Sequence, residues 1–156
     1  MKIFVFSSLL KDKFNCVIFI NYNKKMVLTK TILILEDNLK VVSKILDYLY
    51  ELEQDQPYDF SVIALTTYQQ VEDYINSNPK ANFDIILLDG DCKLNQSFHI
   101  LDLERFGAHK VISISSVPKY NESAKKRGVK KVIEKDLADI EGFAQKVVKE
   151  IEKMIR

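Results

Sequence analysis

The sequence predicts an α/β protein with a doubly wound, five-stranded parallel sheet and helices on both of its faces. Three observations support this fold class. The chain has 156 residues, which is the usual size of one compact domain. From Thr31 onward, short apolar runs alternate with segments whose apolar residues recur every three or four positions. The short runs are continuously apolar rather than alternating, which is typical of strands that helices cover on both faces.

The strands are predicted where these continuous apolar runs occur. They are Thr31 to Leu35, Phe60 to Leu65, Asp84 to Leu88, Lys110 to Ser115 and Lys131 to Glu134. No repeat, low-complexity tract or linker rich in serine and glycine interrupts the alternation. We therefore expect a single core, with no internal domain boundary after residue 31.

Helices are predicted between the strands and after the last one, from apolar residues at helical spacing. The first has a stripe of Leu39, Val42, Leu46, Leu49 and Leu52, the second carries Val71, Tyr74 and Ile75, and the third carries Phe98, Leu101 and Arg105. The fourth runs from Lys119 to Arg127 and the last from Ala138 to Arg156. Gly128 is a natural end for the fourth helix, because glycine readily adopts the left-handed conformation that closes many helices.

Composition and charge exclude several classes of protein. The net charge of +1 hides six Lys and one Asp in residues 1 to 30, against 17 basic and 21 acidic groups in the rest. Because the early lysines are scattered, we expect no direct binding to nucleic acid. The early apolar runs are too short for membrane insertion or a secretory signal, so a cytoplasmic protein is expected. Cys16 and Cys92 are too few for a disulfide framework or a four-ligand zinc site.

The sequence leaves the status of the N-terminal extension, residues 1 to 29, open. Met26 is a second plausible start, directly before the first convincing strand. Alternatively, Lys2 to Phe6 and Asn15 to Tyr22 form two extra strands, since both are rich in Phe, Ile and Val. The main domain is assigned to residues 30 to 156.

Polar residues follow four of the predicted strands at their carboxyl ends, where the functional crevice of an open α/β sheet lies. They are Glu36 and Asp37 after the first strand, Asp89 after the third, Ser115 and Ser116 at the end of the fourth, and Glu134 and Lys135 at the end of the fifth. The crevice is therefore expected to hold carboxylates, a hydroxyl and an ammonium group.

This set of groups permits phosphoryl chemistry. Clustered carboxylates repel one another unless a cation shares their site, and a site with few oxygen ligands suits Mg²⁺. Asp37 and Asp89 would hold the metal, with Glu36 acting through water. Asp89 would be the nucleophile, because a carboxylate can form an acyl phosphate. Lys135 and the Ser115 hydroxyl would hold the remaining phosphoryl oxygens.

From about Lys30 to Arg156 the chain resembles the receiver domain of two-component response regulators. The motifs that carry the resemblance are ILILEDN with Glu36 and Asp37, FDIILLDGD with Asp89, VISISS with Ser115, and VIEKD with Lys135. The resemblance implies that Asp89 is the phosphoacceptor and that the backbone carbonyl of Asp91 is a further metal ligand. It also implies the flavodoxin-like strand order 2-1-3-4-5 for the sheet.

The function implied by the resemblance is that of a single-domain receiver. It would accept a phosphoryl group from a histidine kinase or phosphotransfer protein in a Mg²⁺-dependent reaction. It would not be a turnover enzyme, since it would only accept the group and slowly lose it. Its signal would pass to an unknown downstream protein through protein contacts, and a homodimer is one open alternative.

Some positions depart from the family pattern. Cys92-Lys93-Leu94 replaces the usual Met-Pro-Gly turn, and Val132 stands where a Tyr or Phe normally changes rotamer. Asp136 replaces the proline that usually follows the lysine. Because a cis bond before a residue other than proline costs about 3 to 4 kcal/mol, the bond between Lys135 and Asp136 is predicted to be trans.

Two alternatives remain. A receiver-like interaction module that never uses phosphate would be compatible with Val132 and Asp136. Asp89-Gly90-Asp91 also resembles the nucleophile motif of haloacid-dehalogenase-type phosphatases. In that family, however, the motif follows the first strand and the metal-binding acid pair lies downstream, whereas Glu36 and Asp37 lie upstream here.

Overall fold

A computed structural model describes residues 28–54, 56–93 and 96–156. Five parallel strands form one sheet in the order β2-β1-β3-β4-β5, which confirms the predicted fold class and strand order. The strands are β1 Leu28–Leu35, β2 Tyr58–Leu65, β3 Ile85–Leu88, β4 Val111–Ser113 and β5 Lys131–Val132. The second start at Met26 and the extra strands predicted for Lys2 to Phe6 and Asn15 to Tyr22 lie outside the described residues.

The centre of the sheet is fully apolar on both faces. β1 pairs with β2 along its whole length, whereas its pairing with β3 begins only at Ile32. Alternate residues of β1 point to opposite faces. Leu33 and Leu35 belong to one buried cluster, and Ile32 and Ile34 to the other. The two clusters are the cores on either side of the sheet.

Helices cover both faces of the sheet. They are α1 Leu39–Gln54, α2 Tyr68–Gln70, α3 Leu103–Phe106, α4 Pro118–Lys126 and α5 Ile140–Ile155. A π-helical turn, Val71–Asn76, continues α2, and 3-10 turns lie at Phe98–Ile100 and Ala108–Lys110. α1 and α5 pack together on one face, and the π-helical turn, α3 and α4 contribute to the core on the other. No described helix is long and apolar enough to cross a membrane.

The stripe predicted for α1 is partly wrong. Leu39 and Leu46 are 66% and 38% exposed, whereas Val41 and Ile45 are completely buried. Two stripes of the same helical period overlap in this segment, and Val42 and Leu49 belong to both the predicted face and the buried face. On the second helix, Tyr74 is likewise exposed, at 63%. Period alone therefore does not decide which face of such a helix meets the sheet.

The single third helix predicted across Phe98, Leu101 and Arg105 is also wrong. The chain forms a 3-10 turn, becomes extended at Leu101, and starts α3 anew after Asp102. Two side chains cause this division by accepting hydrogen bonds from the backbone. Ser97 caps the 3-10 turn through the His99 N–H, and Asp102 caps α3 through the Arg105 N–H.

α4 has the start and the end that its sequence indicates. Pro118 occupies its first turn, where the missing N–H is not needed. Gly128 has a φ of +93°, and its N–H donates to the Lys125 carbonyl while the Val129 N–H donates to the Ala124 carbonyl. This pair of bonds is a Schellman motif, so the predicted role of Gly128 in ending the helix is confirmed.

Candidate functional site

The predicted acidic residues meet at the carboxyl edge of the sheet. Backbone hydrogen bonds from Glu36 N–H to the Leu65 carbonyl and from Asp89 N–H to the Leu35 carbonyl continue the strand pairing there. One carboxylate oxygen from each of Glu36, Asp37 and Asp89 lies within 4.8 Å of the others. The sheet therefore brings together three residues that are far apart in the sequence.

Two of these carboxylates are buried with a lysine. Glu36 is 0% exposed, Asp89 1% and Lys135 7%. The Lys135 ammonium hydrogen bonds to Asp89 Oδ2 and lies 2.8 Å from Glu36 Oε2. The contact with Glu36 is a buried ion pair at hydrogen-bond distance. No second described group donates to Oε2, so this oxygen keeps a lone pair that a cation could use.

The second oxygen of each buried carboxylate is held by the backbone. Glu36 Oε1 accepts a hydrogen bond of 2.9 Å from the Asn38 N–H, and Asp89 Oδ1 accepts one of 2.7 Å from the Gly90 N–H. Each carboxylate thus has one oxygen fixed by its own loop and one oxygen facing Lys135. This arrangement fixes the direction in which both groups point.

The electrostatics show more negative than positive charge in the buried cluster. Burial raises the pKa of Glu36, although Lys135 opposes the change. Burial, together with repulsion from Glu36, raises the pKa of Asp89 to about 7. Burial alone would lower the pKa of Lys135, but the two carboxylates outweigh it and raise that pKa. A single ammonium does not fully offset two buried carboxylates.

The donor set fits a divalent cation. Glu36, Asp37 and Asp89 offer carboxylate oxygens only, which are the ligands that Mg²⁺ and Mn²⁺ prefer in proteins. Asp37 is less buried than the other two and lies at the solvent side of the group. Asp91 is half-buried and close enough for its charge to raise the pKa of Asp89. The part predicted for the Asp91 carbonyl stays a prediction.

Ser115 lies two residues after the end of β4, which stops at Ser113 and not at Ser115 as predicted, and it is completely buried. Its hydroxyl accepts a hydrogen bond of 3.2 Å from the Val117 N–H, and its carbonyl accepts one of 3.2 Å from the backbone N–H of Lys135. The segment after β4 is therefore joined directly to the segment after β5. Two of the predicted site residues, Ser115 and Lys135, share this backbone bond.

Asn121 is a site neighbour that the sequence analysis misses. Its side chain is only 7% exposed and lies between α4 and the end of β4. Its Nδ2 donates to the Ser115 carbonyl at 2.9 Å, and the Ser113 hydroxyl donates to its Oδ1 at 2.8 Å. A signal was present in the sequence, because Asn121 lies three residues before Ala124, on the same face of the helix.

A groove lies beside β5 at Val132, the position where the sequence has valine in place of the usual aromatic residue. Val132 is half-buried, and the groove beside it has a volume of about 460 Å³. Its lining residues are Pro118, Asn121, Glu122, Lys125, Lys130, Val132 and Glu134. The bond between Lys135 and Asp136 is trans, as predicted. β5, which leads into the segment with Lys135, therefore borders an open groove on its α4 side.

Both ends of α4 contact the segment that follows Asp89. Near the start of the helix, Tyr120 packs directly against Gly90. The His99 ring meets the Tyr120 ring edge-on, with 5.7 Å between the centroids. At the other end, the Arg127 guanidinium donates to the carbonyls of His99 and Leu101 at 2.8 and 2.7 Å. The position of α4 is thus tied to the Gly90 loop.

Replacing Gly90 with alanine is expected to destabilise the protein by about 2 kcal/mol, as overpacking typically does. A Cβ at this position would lie 2.1 Å from the Cβ of Tyr120, which is too close to the helix backbone to be relieved by a side-chain rotation. Urea denaturation would measure the loss.

A suitable control is Gly142→Ala in α5, where the new Cβ would meet the Asp139 carboxylate, which can rotate away at the cost of its single capping hydrogen bond from the Gly142 N–H. Its stability should change much less. Equal stability changes in the two variants would contradict the tight contact between Gly90 and Tyr120.

Comparison with solved structures places the fold among response regulators. The phosphorylated cyanobacterial phytochrome response regulator RcpA is 20% identical, with a TM-score of 0.62 over 80% of this chain and 92% of that chain. The Mn²⁺-bound form of response regulator Rcp1 is 15% identical, with a TM-score of 0.58 over 76% and 91% of the two chains. The bacteriophytochrome response regulator AtBRR is 15% identical, with a TM-score of 0.51 over 76% and 91%.

No protein-family model matches the sequence, and no curated protein matches it either. The identities to the solved structures are low, so the likeness establishes the fold alone. That fold is the one of response-regulator receiver domains, as the sequence motifs indicate.

Proposed function

We propose that the protein is a receiver that accepts a phosphoryl group on Asp89 from a phosphohistidine of a histidine kinase or phosphotransfer protein. The observation that carries the proposal is the buried group of Glu36, Asp89 and Lys135 at the carboxyl edge of the sheet. Such a group is costly to bury, so it is expected where charge has to be placed for chemistry. The receiver fold supports the same function.

The reaction is a transfer between two nucleophiles. An oxygen of the Asp89 carboxylate forms a bond to phosphorus while the bond from phosphorus to the donor imidazole nitrogen breaks. The imidazole keeps the electron pair of that bond and takes a proton. Lys135 already contacts Asp89 Oδ2 and is placed to offset the charge of the phosphoryl oxygens. Ser115 would donate its hydroxyl proton to one of those oxygens.

Glu36, Asp37 and Asp89 would hold Mg²⁺, together with the backbone carbonyl of Asp91. When bound, the ion supplies positive charge that offsets the negative charge of the phosphoryl oxygens. Two neighbours support this assignment, since the structure of Rcp1 is a Mn²⁺-bound form and that of RcpA is phosphorylated.

The protein acts in the cytoplasm as a signalling module, not as a turnover enzyme. The phosphoryl group stays on Asp89 until hydrolysis or transfer removes it, and the signal passes to a downstream protein through surface contacts. The open groove beside Val132 supports an output that does not depend on an aromatic ring in β5.

Incubation with acetyl phosphate and Mg²⁺ tests the proposal. We expect a mass increase of one phosphoryl group that is lost in base, and no such adduct in Asp89→Asn. Asp84→Asn is a matched control, because Asp84 lies just before the same strand, at its opposite end, and should label normally.

Three outcomes would contradict the proposal. They are equal labelling of Asp89→Asn, a wild-type protein that is not labelled, and steady hydrolysis of p-nitrophenyl phosphate. The second outcome would favour an interaction module that does not use phosphate, and the third a phosphatase.

Mg²⁺ and Mn²⁺ are expected to stabilise the folded protein. A ligand at ten times its Kd adds about 1.4 kcal/mol to the free energy of unfolding, which should raise the melting temperature by several degrees. Asp37→Asn should reduce this rise, because it removes one of the three carboxylates. A melting temperature that millimolar Mg²⁺ leaves unchanged would argue against the metal site.

A further inference from the structure

Both ends of the Asn121 side-chain amide form hydrogen bonds inside the protein. Its NH₂ group donates to the Ser115 carbonyl at 2.9 Å, and its oxygen accepts from the Ser113 hydroxyl at 2.8 Å. Ser113 and Ser115 are both completely buried. The side chain therefore connects α4 to Ser113, the last residue of β4, and to Ser115 in the segment that follows it.

The geometry joins Asn121 to both residues proposed to hold the phosphoryl oxygens. The Ser115 carbonyl accepts from Asn121 and also from the backbone N–H of Lys135 at 3.2 Å. A displacement of that carbonyl would move the Ser115 hydroxyl, whereas Lys135 is also held in place by its contacts with Glu36 and Asp89. Asn121 has no direct contact with Asp89 among its hydrogen bonds in the described residues, so any effect it has on the site acts through Ser115.

A purely structural role would not require an amide at this position. Asn121 faces the protein interior beside Ala124, where an apolar side chain of similar size would bury more apolar surface. A buried amide with both ends satisfied instead fixes one arrangement of the backbone around it.

Resting on the proposed function, we infer that Asn121 is a positioning residue that holds Ser115 in place for the phosphoryl group on Asp89. Its role is to fix the Ser115 backbone so that the hydroxyl and Lys135 keep their relative positions. Reactions that depend on such alignment are sensitive to displacements of about 1 Å, which can change rates by up to about a hundredfold.

The test compares the rate of labelling by acetyl phosphate at saturating Mg²⁺ in Asn121→Leu, Ser115→Ala and the double variant. Leucine keeps the approximate size of asparagine and removes the amide. We expect labelling of Asn121→Leu to be about tenfold slower than that of the wild type. In the Ser115→Ala background the same change should slow labelling less than about twofold, because the group that Asn121 positions is gone.

Asn76→Leu is the matched control. Asn76 also uses its amide to bond the backbone, with Nδ2 donating to the Ile100 carbonyl and Oδ1 accepting from the Asp102 N–H, but it lies in the π-helical turn away from the site. Its labelling rate should equal that of the wild type. If Asn121→Leu does not fold, Ser113→Ala removes one of the two hydrogen bonds and should give an intermediate rate.

The outcomes separate the inference from the proposed function. Labelling of Asn121→Leu at the wild-type rate would overturn the inference alone. So would an equal slowing in the presence and absence of the Ser115 hydroxyl, since Asn121 would then not act by positioning that hydroxyl. A wild-type protein that takes up no phosphoryl group would contradict the proposed function and the inference together.

Discussion

Lys135→Met is expected to destabilise the metal-free protein by about 3 kcal/mol at pH 8, the loss typical of a buried ion pair deprived of one partner. The substitution removes the ammonium that contacts both Glu36 Oε2 and Asp89 Oδ2 and leaves two carboxylates buried beside each other. Because the folded protein raises the pKa of Lys135, its stabilising effect is fully present below the unfolded pKa of about 10.5. Urea denaturation at pH 8 therefore measures the whole loss.

The loss should shrink as the pH falls. Without Lys135, the pKa values of the two carboxylates rise further, so the folded variant binds protons that the unfolded chain does not. At pH 5 the destabilisation should therefore be smaller than at pH 8. Lys131→Met is the control, because Lys131 pairs with Glu150 at a partly exposed site. This substitution should lower the free energy of unfolding by less than about 1 kcal/mol. Equal losses in both variants would contradict a special role for Lys135.

Asp89→Asn should have the opposite effect and stabilise the metal-free protein. Burial and Glu36 raise the pKa of Asp89 to about 7 from an ordinary value of 3.8. The folded state therefore binds the Asp89 proton more tightly than the unfolded chain, and wild-type stability falls as the pH rises from about 4 to about 7. Asparagine does not titrate. The variant should thus gain about 2 to 4 kcal/mol at pH 8 and almost nothing at pH 4.

Asp84→Asn provides a control of opposite sign. Burial would raise the pKa of Asp84, but hydrogen bonds from the Thr31 N–H and hydroxyl outweigh it and lower that pKa. Its carboxylate contributes stability above the unfolded pKa, so the substitution should weaken the protein at neutral pH. Saturating Mg²⁺ should reduce the stability that Asp89→Asn gains over the wild type, because the ion stabilises the wild type. A pH-independent difference would show that Asp89 carries no unfavourable charge.

Much of the sheet could be predicted because a continuous apolar run between helical segments has few other structural explanations. The start of β1 could not be predicted, because its first residues pair with β2 alone and are largely exposed. Such positions have no apolar pattern to reveal them. The third helix fails for a different reason. Side-chain caps from Ser97 and Asp102 compete locally with the helical hydrogen bonds that its period indicates.

The acidic group of the site could be predicted because the strand ends of a parallel sheet meet at one edge. The sequence motif locates Glu36, Asp37 and Asp89 without any knowledge of their distances. Asn121 is different, since its importance depends on which face of α4 is buried. That face is set by the packing of Ala124 against the core, and in this short, largely polar helix the spacing from Asn121 to Ala124 is only a weak signal of it.

α4 is attached at Tyr120, which packs against Gly90, and at Arg127, so a shift at one attachment tilts the helix about the other. Tyr120 and Arg127 are separated by about 10 Å along the helix axis, at about 1.5 Å per residue. If Arg127 stays bound to the carbonyls of His99 and Leu101, a displacement of about 1 Å at the Gly90 end would tilt the helix by about 5° about that anchor. A tilt of the whole helix widens or narrows the groove beside Val132 and does not require α5 to move.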